Sequence, residues 1–203
     1  MLVREAMRVP VVTVAEEDDV PHTARVLLHH RISSVPVVDR DGTLVGVVSE
    51  SDLLRDRVGR DPRAHFLPRD QDGEAPPRTV AAVMTGRPLT VDVGADLADA
   101  TRLLLARRIK ALPVMDGHRL VGVLARRDVL ATLAHPDEDV RAAVLARLRE
   151  QDPAQSWEVT VTDGVVTLDG PLHGAAQRLA AVVARTVAGV VRVRTGDAEV
   201  AAR

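Results

Sequence analysis

The chain has 203 residues, a formal net charge of −2, and a composition that is 46% hydrophobic and 28% charged, as is typical of a soluble globular protein. It contains no cysteine, which excludes disulfides, thiolate catalysis and cysteine-based zinc sites. The balanced charge and an aromatic content of 1% predict no nucleic-acid partner, because such partners need a basic surface or aromatic platforms for bases.

The beginning of the chain, MLVREAMRVPVV, lacks the apolar stretch of a signal peptide. No apolar run approaches the ~20 residues of a membrane helix. We therefore expect a cytoplasmic protein.

An internal repeat organises the first two thirds of the chain. RISSVPVVD at 31–39 recurs as RIKALPVMD at 108–116, an offset of 77, and LVGVV at 44–48 recurs as LVGVL at 120–124, an offset of 76. The second copy has lost one residue in a turn, where loss is tolerated. Two copies are too few for a solenoid, so we expect a paired domain with pseudo-two-fold symmetry.

Each copy is predicted to run strand, helix, strand, strand, helix. A short strand, 11–14 or 89–91, leads to a helix opened by Asp19 or Asp96. The helix has apolar residues at helical spacing, namely Ala24, Leu27, Leu28 and Ile32 in copy one and Ala100, Leu104, Leu105 and Ile109 in copy two. A hairpin follows, predicted over 35–38 and 44–48 around Asp41-Gly42, and over 112–115 and 120–124 around Asp116-Gly117. A last helix begins near Asp52 or Asp128.

The segment between the copies holds four prolines, two glycines and charges of both signs over residues 56–79. Such a composition predicts a linker loop, with a lid over a binding site as the alternative.

A different unit follows His135-Pro136. Val140, Ala143, Val144 and Leu148 predict one face of a helix, and VTVTDGVVTLDG at 159–170 alternates as two strands about Asp163-Gly164. A helix over 175–187, closed by Gly189, and a strand over 190–194 complete an α-β-β-α-β module.

The repeats resemble CBS domains (named after cystathionine β-synthase). The segments that carry this resemblance are RISSVPVVDRDGTLVGVVSESDLL and RIKALPVMDGHRLVGVLARRDVL. The tail resembles a BON domain, carried by VTDGVVTLDGPL and VAGVVRVRT. The resemblance implies an α/β (α+β) fold, in which a pseudo-two-fold pair of β-α-β-β-α repeats precedes a small α-β-β-α-β domain. The expected division is 3–58 for repeat one, 59–79 for the linker, 80–135 for repeat two, 137–196 for the BON-like domain and 197–203 for the tail.

In CBS pairs, adenosine nucleotides lie in two clefts between the copies. The family signature is a glycine, two apolar residues, Ser or Thr, two variable residues and Asp, which stands here as GVVSESD at 46–52 and GVLARRD at 122–128. One carboxylate can accept both ribose hydroxyls, and the helix start beside it favours a phosphate.

The resemblance carries the binding residues over by position. Site one would consist of Ser49, Ser51, Asp52, Leu89, Ile109, Lys110 and Ala111. Site two would consist of Val12, Ile32, Ser33, Ser34, Arg126, Arg127 and Asp128.

Both motifs have plainer interpretations. Ser49-x-x-Asp52 is also a capping-box pattern, which starts a helix without any ligand. Copy two has Ala125 in place of the hydroxyl, so we favour the nucleotide interpretation at Asp52 and leave both open at Asp128. Arg126 and Arg127 either favour an anionic ligand such as ATP or begin a solvated helix. We expect the two sites to differ in affinity.

The leading hypothesis is therefore a regulatory or energy-sensing protein, with AMP, ADP, ATP or S-adenosylmethionine as its ligand. It would signal to a partner or to the BON-like tail, and we expect a homodimer because CBS pairs commonly form disc-like dimers. The alternative is a structural or membrane-associated adaptor with vestigial clefts. In an adaptor of this kind, phospholipid or a protein would contact the BON-like domain. Its arginines include Arg178, Arg185, Arg192 and Arg194.

An enzyme is the last hypothesis. The sequence has no phosphate-binding P-loop, no hydrolase nucleophile elbow and no zinc-protease motif. The histidines show no metal-ligand spacing, so we predict neither catalytic residues nor a metal.

Overall fold

The computed structural model describes residues 1–55, 57, 76–170 and 174–195. The chain divides into two compact units. We call Arg8–Val93 with Leu104–Leu124 the repeat unit, and Met1–Met7 with Gly94–Leu103 and Ala125–Arg203 the tail unit.

The elements follow the predicted order in both copies and in the C-terminal domain. Copy one has a 3₁₀ turn at Val3–Glu5, β1 at Val14–Ala15, α1 at Val20–His30, β2 at Ser34–Val38, β3 at Leu44–Ser49 and α2 at Glu50–Leu54. Copy two has β4 at Thr85–Gly86, β5 at Val91–Asp92, α3 at Leu97–Ala106, β6 at Ala111–Asp116, β7 at Arg119–Ala125 and α4 at Arg126–Leu133. The C-terminal domain has α5 at Asp137–Gln151, β8 at Glu158–Thr162, β9 at Val165–Asp169, α6 at Ala175–Ala184 and β10 at Arg192–Thr195.

The repeat unit is built on two sheets. One has the order β1-β2-β3-β4, in which β1 is parallel to β2 while β3 is antiparallel to both neighbours. The register of the β2–β3 hairpin sets Ser34 opposite Ser49. The other sheet has the order β5-β6-β7. β4 is a strand that the sequence did not predict.

The first sheet buries its middle against α1. Val35, Val37 and Val48 are fully buried and join Leu27 and Leu53 in one apolar core. Asp19 begins α1, because its carboxylate accepts the N–H of His22 at 2.6 Å. Asp96 has the predicted place directly before α3 and accepts the N–H of Ala98 at 2.7 Å.

The predicted apolar faces of α1 and α3 were too wide. Leu27 and Leu104 are buried, but their neighbours Leu28 and Leu105 are 77% and 59% exposed. Consecutive helical residues point about 100° apart, so a leucine beside a buried one faces away from the sheet.

The C-terminal domain packs α5 and α6 against the sheet β10-β9-β8, in which β10 is parallel to β9. Val140, Val144 and Leu148 of α5 are buried as predicted, whereas Ala143 is exposed. The predicted second helix was too long: α6 ends at Ala184.

The end of that domain also differs from the prediction. Val187 lies beyond α6 yet is buried in the domain core. The last strand begins at Arg192, two residues later than expected.

The β8–β9 turn is a two-residue hairpin. Asp163 and Gly164 have φ angles of 50° and 71°, as a type I′ turn requires. The carboxylate of Asp137 accepts both of their N–H groups, at 2.8 Å and 3.0 Å. This carboxylate ties the start of α5 to the hairpin.

Most of the predicted linker, 59–75, and the tail at 197–203 lie outside the described residues, so the linker and lid alternatives stay predictions. Thr79 forms an isolated antiparallel bridge with Asp19, and Val80 is buried. Among the described helices, none is long and apolar enough to cross a membrane.

Candidate functional site

The first signature motif lies where β3 becomes α2. Oδ2 of Asp52 accepts the N–H of Ser49 at 2.9 Å and its hydroxyl at 2.6 Å. The hydroxyl oxygens of Ser49 and Ser51 are 3.0 Å apart. Asp52 therefore stabilises the start of a five-residue helix, as the capping interpretation predicted.

The same carboxylate has a second oxygen. Oδ1 of Asp52 lies 3.5 Å from a guanidinium nitrogen of Arg55, a loose ion pair whose arginine is largely exposed. Such pairs are weak in water. Capping by Oδ2 therefore leaves Oδ1 as an acceptor for a ligand.

The glycine of the motif makes room for β4. A Cβ on Gly46 would lie 2.5 Å from Sδ of Met84 and 3.1 Å from the carbonyl oxygen of Thr85. Gly46 pairs with Gly86 across the β3–β4 ladder, so the absence of a side chain lets copy two approach copy one here.

Both copies enclose a cavity of about 380 Å³, which we call the site-one cavity. Its volume lies within the range of small-molecule sites. All seven residues predicted for site one line it, Ser49, Ser51 and Asp52 from copy one and Leu89, Ile109, Lys110 and Ala111 from copy two. That these residues bind a nucleotide stays a prediction.

Seven further residues line the site-one cavity. They are Ser34, Val47, Thr85, Arg87, Pro88, Arg108 and Pro113. Arg108 could have been found, because it repeats Arg31 of copy one. Arg87 has no counterpart, since the equivalent position in copy one is Pro10.

An ion pair joins the two copies beside the cavity. Nζ of Lys110 lies 3.4 Å from Oε2 of Glu50, and both side chains are about half exposed. Glu50 is the first residue of α2 and does not line the cavity. The cavity thus combines aliphatic walls with serine hydroxyls, one carboxylate and three cations.

The residues predicted for site two belong to different units. In the tail unit, Oδ2 of Asp128 accepts the N–H of Ala125 at 2.8 Å, so this aspartate also caps its helix. Asp128 is buried, Arg126 is half-buried and Arg127 is exposed.

The other four residues of site two lie in the repeat unit, and all four are half-buried: Val12, Ile32, Ser33 and Ser34. The carbonyl of Ser33 accepts the N–H of Glu50 at 3.0 Å. Ser34, predicted for site two, also lines the site-one cavity. The rest of site two stays a prediction.

A second cavity in the repeat unit, of about 460 Å³, shares Arg87 and Pro88 with the first. It contains no serine and no aspartate of either signature motif among its described lining residues. In the described ranges no three His, Cys, Asp or Glu side chains are placed to hold a metal, while His65 and His173 lie outside those ranges.

The comparison with family models places these observations in a known class. The CBS domain model matches residues 3–59 and 80–135, and the BON domain model matches residues 136–202. The chain belongs to the CBS domain family, as a tandem CBS pair followed by a C-terminal BON domain.

Curated relatives share the CBS part. The protein MJ1426 of Methanocaldococcus jannaschii is 30% identical over 154 residues, which are 66% of this chain and 91% of MJ1426. The chloroplastic protein CBSX2 of Arabidopsis thaliana is 33% identical over 133 residues, 58% of this chain and 56% of CBSX2. The chain therefore spans little more than half of the length of CBSX2.

Inosine-5'-monophosphate dehydrogenase of Mycobacterium tuberculosis is 38% identical over 120 residues, 56% of this chain but only 20% of the enzyme. The match covers a minor part of that enzyme and carries no activity over to this chain.

Solved structures agree with the fold. CBSX2 from Arabidopsis thaliana superposes with a TM-score of 0.51 at 32% identity, covering 64% of this chain and 92% of that one. CBSX2 in complex with AMP gives a TM-score of 0.50 at 29% identity, covering 64% of this chain and 93% of that one.

Proposed function

We propose that this protein is a regulatory protein that binds an adenine nucleotide in the site-one cavity. The observation that carries the proposal is the cavity itself, in which the signature serines and Asp52 of copy one face the aliphatic residues of copy two. Because walls from both copies would contact the ligand, binding would favour one arrangement of the copies over others. CBSX2, a relative with the same pair, binds AMP.

Asp52 and Ser51 would hold the sugar and the phosphate. Oδ1 of Asp52 would accept the ribose hydroxyls. Ser49 donates its one hydroxyl proton to Oδ2 of Asp52 and so would orient that carboxylate, while the hydroxyl of Ser51 would turn to donate to a phosphate oxygen. The base would lie against Leu89, Ile109 and Ala111. Asp128, Arg126 and Arg127 would serve a second site of different affinity.

Calorimetric titration of the full chain with AMP, ADP, ATP and S-adenosylmethionine tests the proposal. We expect at least one of them to bind with saturable heat, and we expect any ligand retained through purification to have the mass of an adenosine compound. Inorganic phosphate serves as the control ligand. Absence of binding by all four adenosine compounds would overturn the proposal.

A homodimer is part of the proposal. Leu28 on α1 and Leu54 on α2 are exposed, although these two helices pack together in the repeat unit. The exposed leucines recur in copy two as Leu105 and Leu130. A contiguous apolar patch on the surface of packed helices marks an interaction site, and we propose that Leu28 and Leu54 belong to such a patch.

Leu28→Asp is expected to weaken the dimer at least about tenfold, because it places a charge in an apolar interface. Sedimentation equilibrium of the full chain measures the dissociation constant. Leu179→Asp, at an exposed leucine of α6, is the matched control and should leave it unchanged. A wild-type chain that sediments as a monomer at high concentration contradicts the homodimer.

A second candidate function, a membrane-associated adaptor, is favoured by one face of α6. Leu179 and Val182 are each 56% exposed there, beside the exposed Arg178 and Arg185. Apolar residues flanked by arginines suit an anionic lipid surface. Sedimentation of the full chain with phosphatidylglycerol vesicles, against phosphatidylcholine vesicles as control, tests this candidate. Equal recovery with both would exclude charge-dependent lipid binding.

The regulated partner would be the BON domain of the same chain or a separate protein. Either one would respond to the change in the CBS pair that the ligand favours.

A further inference from the structure

The lining of the site-one cavity carries more positive than negative charge, and we call its three cations, Arg87, Arg108 and Lys110, the cationic rim. Of the fourteen described residues that line the cavity, Arg87, Arg108 and Lys110 are cationic and Asp52 is acidic. A ligand in this cavity would therefore meet an excess of positive charge. All three cations are exposed, so water and salt weaken the effect of each one.

Two of these cations stand on an unusual backbone. Arg87 has a φ of 50° and Arg108 a φ of 54°, in the left-handed region that side chains other than glycine rarely adopt. At Arg108 the conformation ends α3, as Arg31 ends α1 with a φ of 53°. Arg87 directly follows β4, is exposed and lines the site-one cavity.

Lys110 already has a partner within the protein. Oε2 of Glu50 lies 3.4 Å from its ammonium group, across the boundary between the copies. Both side chains are half exposed, so this pair is weak and can be broken at small cost. An entering phosphate would compete with Glu50 for the same ammonium group.

We propose that the site-one cavity selects its adenosine ligand by negative charge. Affinity rises with the negative charge of the ligand, so ATP binds more tightly than AMP. Uncharged adenosine and positively charged S-adenosylmethionine bind more weakly than either. Glu50 is the internal competitor that a phosphate displaces from Lys110. This inference rests on the proposed function and names the ligand class of the same site.

The size of the effect follows from the exposure of the rim. Exposed ion pairs contribute little singly, so removing one cation weakens binding several-fold rather than abolishing it. Three cations together give AMP an advantage over adenosine of at least about tenfold at low salt. The advantage falls as ionic strength rises, because added salt screens exposed charges.

Titration of the full chain and its variants with adenosine, AMP and ATP tests this inference. Lys110→Gln is expected to lower the affinity for AMP and ATP about three- to tenfold. Glu50→Gln is expected to raise both affinities about two- to fivefold. Neither variant should change the affinity for adenosine by more than about twofold. Arg107→Gln is the matched control. It also removes one positive charge, but Arg107, the neighbour of Arg108, does not line the cavity.

The outcomes separate the inference from the proposed function. Adenosine that binds as tightly as AMP would overturn charge selection while leaving the nucleotide function intact. Phosphorylated ligands that bind Glu50→Gln no better than wild type would overturn the role of Glu50. No adenosine compound bound by the wild type would remove both the function and the inference.

Discussion

Asp52→Ala is expected to weaken binding of an adenosine ligand by about ten- to hundredfold. The carboxylate is the acceptor proposed for both ribose hydroxyls, and a hydrogen bond to a charged group contributes about 1.5–3 kcal/mol. The substitution also removes the acceptor for the N–H of Ser49, which should lower the free energy of unfolding by about 1 kcal/mol. Calorimetry measures the first effect and thermal unfolding the second.

Two further variants separate these effects. Asp52→Asn keeps an oxygen that can accept the N–H of Ser49, so it should retain most of the stability while losing much of the affinity. Asp41→Ala, at an exposed turn residue outside the cavity, should change neither. If Asp52→Ala loses stability but binds as well as wild type, Asp52 is only a helix cap and the nucleotide site is wrong.

Gly164→Val is expected to destabilise the BON domain by roughly 3 kcal/mol or more. A Cβ at Gly164 would lie 2.6 Å from the carbonyl oxygen of Gly189 and 2.9 Å from a methyl group of Val191. The backbone φ of 71° adds strain for a β-branched residue. Neither the turn nor the contact with Gly189 can relax without moving the hairpin.

Trp157 makes this prediction measurable for one domain. It is the single tryptophan of the chain and packs against the BON-domain core, so its fluorescence reports unfolding of that domain. Asp163→Gly is the matched control, because it changes the neighbouring turn residue to one that tolerates its φ of 50° and should shift stability by less than about 1 kcal/mol. An unfolding midpoint of Gly164→Val equal to that of wild type would contradict the prediction.

The hairpins were predictable because turn chemistry and strand pattern agree locally. Asp163-Gly164 predicts a two-residue turn whatever surrounds it, and the observed φ angles are those of that turn. In the same way, the duplicated motif placed the β3–α2 junction and its aspartate correctly. Local chemistry determines these features, so they could be read before the fold was known.

The features that the sequence did not predict depend on contacts between distant segments of the chain. Leu28 and Leu105 satisfy helical spacing, yet only the position of the sheet decides that Leu27 and Leu104 are the buried partners. The two-residue strand β4 has no pattern of its own and exists because β3 offers it a free edge.

The cationic rim escaped prediction for a similar reason. Arg87 lines the cavity as a result of the β3–β4 pairing, and no repeat in the sequence marks it. Long-range register therefore decides which charges face a ligand.

The capping bonds of Asp52 and Asp128 have an evolutionary consequence. In both copies Oδ2 holds the first turn of a helix, a task that is needed whether or not a ligand is present. Selection for folding alone would therefore retain the aspartate in a lineage that had stopped binding nucleotides. A motif of this kind can therefore outlive its ligand. The helix start of copy two forms with Ala125 in place of serine, so the hydroxyl of the motif is not under the same constraint.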